Sequence, residues 1–161
     1  MVRDSAISLN ELEKYLKNRY PYLMIDRITK IIPGEIAEGF KNLSNNEWFF
    51  PCHYKDYMNM PGTLQLEALV EIFVISVMSK PEYEGGGIRA SEVRLDNVRF
   101  HKEIFPGDCL YVVSHVESCR RGIAKGKAIG YVDEKKVCEA EITIAIPDIV
   151  DRLVPREPVV K

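Results

Sequence analysis

The sequence predicts an α+β fold in which one antiparallel sheet wraps around a single long, buried helix. Three observations carry this. From Thr63 to about Ser79 the chain is apolar nearly all the way round a helical wheel, the pattern of a helix buried on every side. After it come four β-patterned runs, joined by turn signals at Pro106-Gly107-Asp108, Arg121-Gly122 and Asp133-Glu134-Lys135. In the third run Ala124, Gly126, Ala128 and Gly130 alternate on one face, so something bulky can lie close against the sheet there.

Ser8-Leu-Asn-Glu11 has the form of a capping box, with Ile7 and Leu12 placed as a hydrophobic staple, which predicts a short opening helix over 9–18. Tyr20–Ile32 reads as a strand, Pro33-Gly34 as a hairpin turn, and Glu35–Leu43 as its partner. Asn45–His53 is aromatic and turn-rich without a clear period. Pro61 then stands where proline suits a helix start, because the missing N–H would be unpaired there anyway. Pro81 and Gly85-Gly86-Gly87 close the helix. The four runs are Ile88–Phe105, Leu110–Glu117, Ile123–Val132 and Val137–Ile146. In the last, Cys138, Ala140, Ile142, Ile144 and Ile146 share a face, while Glu139 and Glu141 point away. The chain of 161 residues therefore reads as one domain over 1–147, with 148–161 as a loosely attached tail.

A net charge of −2 gives no global pull toward nucleic acid or anionic membrane. The N-terminus has no apolar core or cleavage site, and the longest apolar stretch is too short and too interrupted to span a bilayer, so a cytoplasmic protein is expected. The four cysteines are scattered and read as reduced core thiols. Phosphate-loop, dinucleotide and nucleophile-elbow signatures are absent.

Three features stand out chemically. Glu67 and Glu71 lie one turn apart on the apolar helix, and a carboxylate buried there must be paired or protonated; both contact polar groups structurally, or one does chemistry. His53 precedes the helix in a short aromatic loop, where a histidine is either packing or an acid–base group. Met60-Pro61-Gly62 opens the helix with a glycine whose N–H a ligand can approach. Taken together they offer a base, a carboxyl group and an oxyanion donor within fifteen residues, the set needed to abstract a proton beside a carbonyl. Gly62 and Glu67 are five residues apart, about 140° net round a helix, so they do not easily converge on one small substrate within one chain. Arg120, Arg121, Lys125, Lys127, Lys135 and Lys136 form a basic hairpin, either a solvated face or, with Lys102, a dock for an acidic partner.

The run His53, Met60-Pro61-Gly62, Leu64, Leu66, Glu67, Ala68 resembles the motif H-F-P-x-x-P-x-M-P-G-x-L-x-x-E-A of the FabZ-type 3-hydroxyacyl-acyl-carrier-protein dehydratases. Tyr20–Arg27, Asn46-Glu47-Trp48-Phe49-Phe50, Val98-Arg99-Phe100 and Pro106-Gly107-Asp108 are similar to further stretches of that family, so that the resemblance spans 18–146. It implies the hotdog fold paired into a homodimer, or a trimer of dimers. It also implies His53 as the base, Glu67 as the acid that protonates the departing hydroxyl, and the Gly62 N–H as the thioester-oxygen donor. The implied substrate is an acyl-carrier-protein or coenzyme A thioester, with no metal and no redox cofactor. A hotdog thioesterase, or a non-catalytic acyl-thioester-binding subunit, is the alternative. Tyr54–Asn59 lacks two prolines and a glycine of the family pattern, which predicts a less constrained loop.

Overall fold

The computed structural model describes residues 9–83 and 89–153. Six strands form one antiparallel sheet in the order β1-β2-β4-β5-β6-β3. They are β1 (Arg27–Ile32), β2 (Ile36–Asn42), β3 (Ser91–Phe100), β4 (Cys109–Arg120), β5 (Ile123–Val132) and β6 (Lys135–Ala145). The long helix α3 (Gly62–Met78) packs against β2, β4, β5 and β6, as the helix-in-sheet pattern predicts. Short helices α1 (Leu9–Leu12), α2 (Phe50–His53) and α4 (Pro147–Leu153) and a 3₁₀ turn at Pro81–Tyr83 are the other helical elements of the described residues.

The small residues of β5 explain how helix and sheet come together. Ala124, Gly126, Ala128 and Gly130 are all buried, and their cross-strand partners on β4 include Val112, Ser114 and Val116. A Cβ added at Gly126 would lie 2.6 Å from the Phe73 ring of α3 and 2.0 Å from the His115 carbonyl oxygen. Phe73 thus fills the space that the missing side chain leaves. On β2, Gly39 plays the same part, with Ile72 of α3 2.8 Å from where its Cβ would be. Phe73, Ile72, Leu69 and Ile75 are fully buried, and each such side chain contributes roughly 1.5–3 kcal/mol.

The expected first strand is shorter than its apolar pattern. Tyr22 and Leu23 donate their N–H groups to the Arg19 carbonyl in a turn, and the Met24 N–H goes to Glu71, so the chain meets β2 only at Asp26, whose N–H donates to the Phe40 carbonyl at 2.9 Å. The opening helix ends at Leu12, followed by turns through Tyr15; Ile7 and Ser8 of the expected cap lie outside the described residues, as do Gly85-Gly86-Gly87. The run 88–105 forms a strand only over Ser91–Phe100, after which Ile104 drops into the core. Past Pro147 the chain forms α4, whose Ile149 packs on the core and whose Ile149 and Val150 close over Gly122 at the β4–β5 turn. The cysteines form no disulfide among the described residues, and Cys138 alone is fully in the core; Cys52 and Cys109 are exposed. No described helix is long and apolar enough to cross a membrane.

Candidate active site

His53 is the last residue of α2, a single turn anchored by its aromatic neighbours. Phe49 and Phe50 are buried and meet edge to face at 4.8 Å between centroids, and the His53 N–H donates to the Phe49 carbonyl. The imidazole Nδ1 lies 3.0 Å from the Asn59 carbonyl oxygen. A carbonyl only accepts, so Nδ1 carries the hydrogen and Nε2 is the ring's free basic nitrogen.

The loop 54–59 is held by other means than proline. Tyr57 Oη donates to Glu103 Oε2 at 2.8 Å and Asn59 Nδ2 donates to Glu103 Oε1 at 2.9 Å. One carboxylate from the β3–β4 connection thereby pins the residue whose carbonyl orients His53. The looser loop expected from the missing prolines is offset by these bonds.

Gly62 is the first residue of α3, and its N–H has no intrahelical acceptor. A Cβ there would press on the Phe100 ring at 3.1–3.3 Å, so a larger residue would have to push that ring aside. His53 and Gly62 line one cavity of about 340 Å³ with Tyr54, Gln65, Phe100 and Lys102. His101 also lines it, its Nε2 2.8 Å from Glu139 Oε1. Lys102 is therefore beside the cavity, whereas Arg120, the last residue of the 12-residue β4, and Arg121 in the turn after it do not line it.

Glu67 is elsewhere in the same chain. It lines a second, narrow cavity of about 90 Å³ with Glu71, Asn18, Val70, Val74 and Glu92. Asn18 Nδ2 donates to Glu67 Oε1 at 2.7 Å and to Glu71 Oε1 at 2.8 Å. Tyr22 Oη donates to Glu67 Oε2 at 3.2 Å, and the Met24 N–H to Glu71 Oε2 at 2.8 Å. Burial, reinforced by the charge of Glu92, lifts the Glu67 carboxyl above the usual range against the pull of the Tyr22 and Asn18 bonds. Burial lifts Glu71 further, to about 8, with the Met24 N–H opposing and the Glu67 charge adding. Glu67 is thus a carboxyl group with a raised affinity for its proton, as a general acid requires. One chain brings His53 and Gly62 together and leaves Glu67 apart. Sequence reasoning missed Asn18, Tyr22, Asn59 and Glu103; nothing in their local pattern marks them, since each acts across a long sequence separation.

The helix-in-sheet architecture, with an imidazole beside the free N–H at the helix start, defines a hotdog-fold protein. The chain belongs to the FabA-like family, whose domain model matches residues 16–141. It is 41% identical over 142 residues to the 3-hydroxyacyl-[acyl-carrier-protein] dehydratases FabZ of Bacillus thuringiensis (strain Al Hakam) and Bacillus cereus (strain B4264), covering 88% of this chain and 97% of each relative. Among solved structures it is similar to the dehydratase heterocomplex ApeI:P of Xenorhabdus doucetiae, with a TM-score of 0.73 at 11% identity over 90% of this chain and 97% of that one. A hypothetical thioesterase with coenzyme A from Streptococcus pneumoniae TIGR4 follows at a TM-score of 0.58 and 16% identity, covering 74% of this chain and 83% of that one. At such identities these two likenesses speak to fold alone.

Proposed function

We propose that the protein dehydrates a 3-hydroxyacyl thioester, carried on an acyl carrier protein, to the trans-2-enoyl thioester. The observation that carries this is the His53 ring, held by the Asn59 carbonyl through Nδ1, in one cavity with the Gly62 N–H. Nε2 takes the α-proton while the Gly62 N–H stabilises negative charge developing on the thioester oxygen. The electron pair of the broken C–H bond forms the double bond, the β C–O bond breaks, and the hydroxyl leaves as water with a proton from Glu67. The identity to curated FabZ dehydratases supports the same chemistry.

The catalytic set is completed by a second copy of the chain. β3 is a sheet edge with Val93, Leu95 and Phe100 exposed, Val93 at 60%. The cavity of Glu67 reaches Arg89, Ala90 and Glu92 at the start of β3, whereas that of His53 reaches Phe100 at its end. Antiparallel pairing of β3 with its twofold mate lays the start of one strand beside the end of the other, which brings Glu67 of one chain toward His53 of the other. The same pairing covers an exposed apolar edge that would otherwise invite aggregation.

The purified protein, incubated with 3-hydroxyacyl and 2-enoyl thioesters of graded chain length, is expected to interconvert them without releasing thiol. Thiol release would instead mark a thioesterase, and tight binding without turnover a non-catalytic acyl-thioester subunit; either result overturns the dehydratase reading.

A further inference from the structure

An acid that delivers a proton must present one carboxyl oxygen to the substrate and keep its geometry while doing so. The two oxygens of Glu67 are held unequally. Oε1 accepts from Asn18 Nδ2 at 2.7 Å, whereas Oε2 has the longer bond, 3.2 Å from the hydroxyl of the exposed Tyr22. Asn18 donates its other N–H to Glu71 Oε1 at 2.8 Å. Glu71 itself cannot turn: its Oε2 takes the Met24 backbone N–H at 2.8 Å, and the residue is 1% exposed. The backbone of Asn18 is fixed as well. Leu16 is buried, and the Arg19 guanidinium donates to the carbonyls of Leu16 and Asn18 at 2.9 and 2.8 Å. Asn18 is thus gripped by Arg19 at its backbone and by Glu71 at its amide, and its remaining N–H points at Glu67.

We propose that Asn18, anchored on Glu71, is the positioning residue of Glu67: it fixes Oε1 and leaves Oε2 to carry the proton and deliver it. This rests on Glu67 being the acid of the proposed reaction. As the proton passes from Oε2 to the departing hydroxyl, negative charge builds on the carboxyl group. An N–H already in place at Oε1 meets that charge, and its bond strengthens because a hydrogen bond to an ionised acceptor is stronger than one to a neutral acceptor. The Asn18 bond accordingly pulls Glu67 toward its ionised form, against the opposing effect of burial. Glu71 acts on Glu67 through this amide, which it holds in register. The other groups facing the two carboxyls are Tyr22, Glu92 on β3, Lys41 on β2, Lys17 and Arg89, and a change at Asn18 leaves all of them in place.

The test is Asn18→Leu, which keeps the size and removes both N–H donors, assayed for dehydration of a 3-hydroxyacyl thioester over the pH range of activity. Its kcat should fall about ten- to hundredfold with KM little changed. The alkaline limb of kcat should move to higher pH, because losing a donor to the carboxylate leaves Glu67 holding its proton more tightly. A wild-type kcat would overturn the proposal, and so would a lower kcat with the limb unmoved, the mark of a merely structural role. Glu67→Gln is assayed alongside and should lose about 10²–10⁴-fold. If it keeps full activity, the assignment of Glu67 as the acid has failed, and the proposal with it; if it is inactive while Asn18→Leu matches wild type, only the positioning role has failed. Should Asn18→Leu not fold, Glu71→Gln reads the same contact. The Met24 N–H needs the glutamine oxygen, so the new NH₂ faces the Asn18 NH₂ and turns that amide away from Glu67. The same fall in kcat and the same shift of the limb are expected, and a wild-type profile would overturn the proposal.

Discussion

At the scale of single residues, Glu71 also ties stability to pH, and the sign follows from where its proton goes. In the folded chain Glu71 keeps its proton to about pH 8, against an ordinary value of 4.5. Between these values the folded state binds more protons than the unfolded one, so stability falls as pH rises and levels off above about 8. Urea midpoints at pH 5 and pH 8 should show the wild type losing a few kcal/mol over that window, while Glu71→Gln loses much less. An equal loss in both proteins would mean that Glu71 ionises normally in its pocket. The sequence shows that a carboxyl group at 71 needs an explanation, because an acid on an all-round apolar helix is anomalous whatever the fold. It does not show the explanation, because Asn18 and Met24 reach Glu71 from a segment that reads as helix and strand and folds as neither.

At the scale of elements, the buried helix and the β4–β6 face were legible because burial imposes a pattern that neighbours cannot overrule. The α3 boundaries of 62–78 differ by one residue from the apolar run. β1 and β3 were not legible in extent. Their ends are decided by hydrogen-bond partners far along the chain, such as the Glu71 side-chain carboxylate that takes the Met24 N–H. The small-residue face of β5 makes a sharper demand. Gly126→Ala should destabilise the fold by about 3 kcal/mol, since the new methyl would stand 2.0 Å from a backbone oxygen and 2.6 Å from Phe73, and overpacking of this kind cannot be relieved by a side-chain rotation alone. Thermal or urea unfolding checks this; a wild-type midpoint would show that helix and sheet are not in close contact at Gly126. Lys41 illustrates the opposite case of a buried charge that is welcome. Burial alone would lower its proton affinity, but the bonds to Glu47 at 2.7 Å and Asp26 at 3.1 Å prevail and hold it above the ordinary lysine value.

At the scale of the whole molecule, the spacing of Gly62 and Glu67 round α3 indicated that the two do not meet in one chain, and their separate cavities agree with it. What periodicity alone does not reveal is how β3 runs from one cavity to the other, the placement on which the proposed twofold pairing rests. The measurement that tests this most directly mixes two inactive variants, His53→Ala and Glu67→Gln, each expected to lose about 10²–10⁴-fold in rate. After complete subunit exchange, half of the dimers are mixed, and each mixed dimer combines His53 of one chain with Glu67 of the other in one of its two sites. A shared site predicts recovery of about a quarter of wild-type activity. Verified exchange with no recovery would place both groups in the same chain and contradict the account.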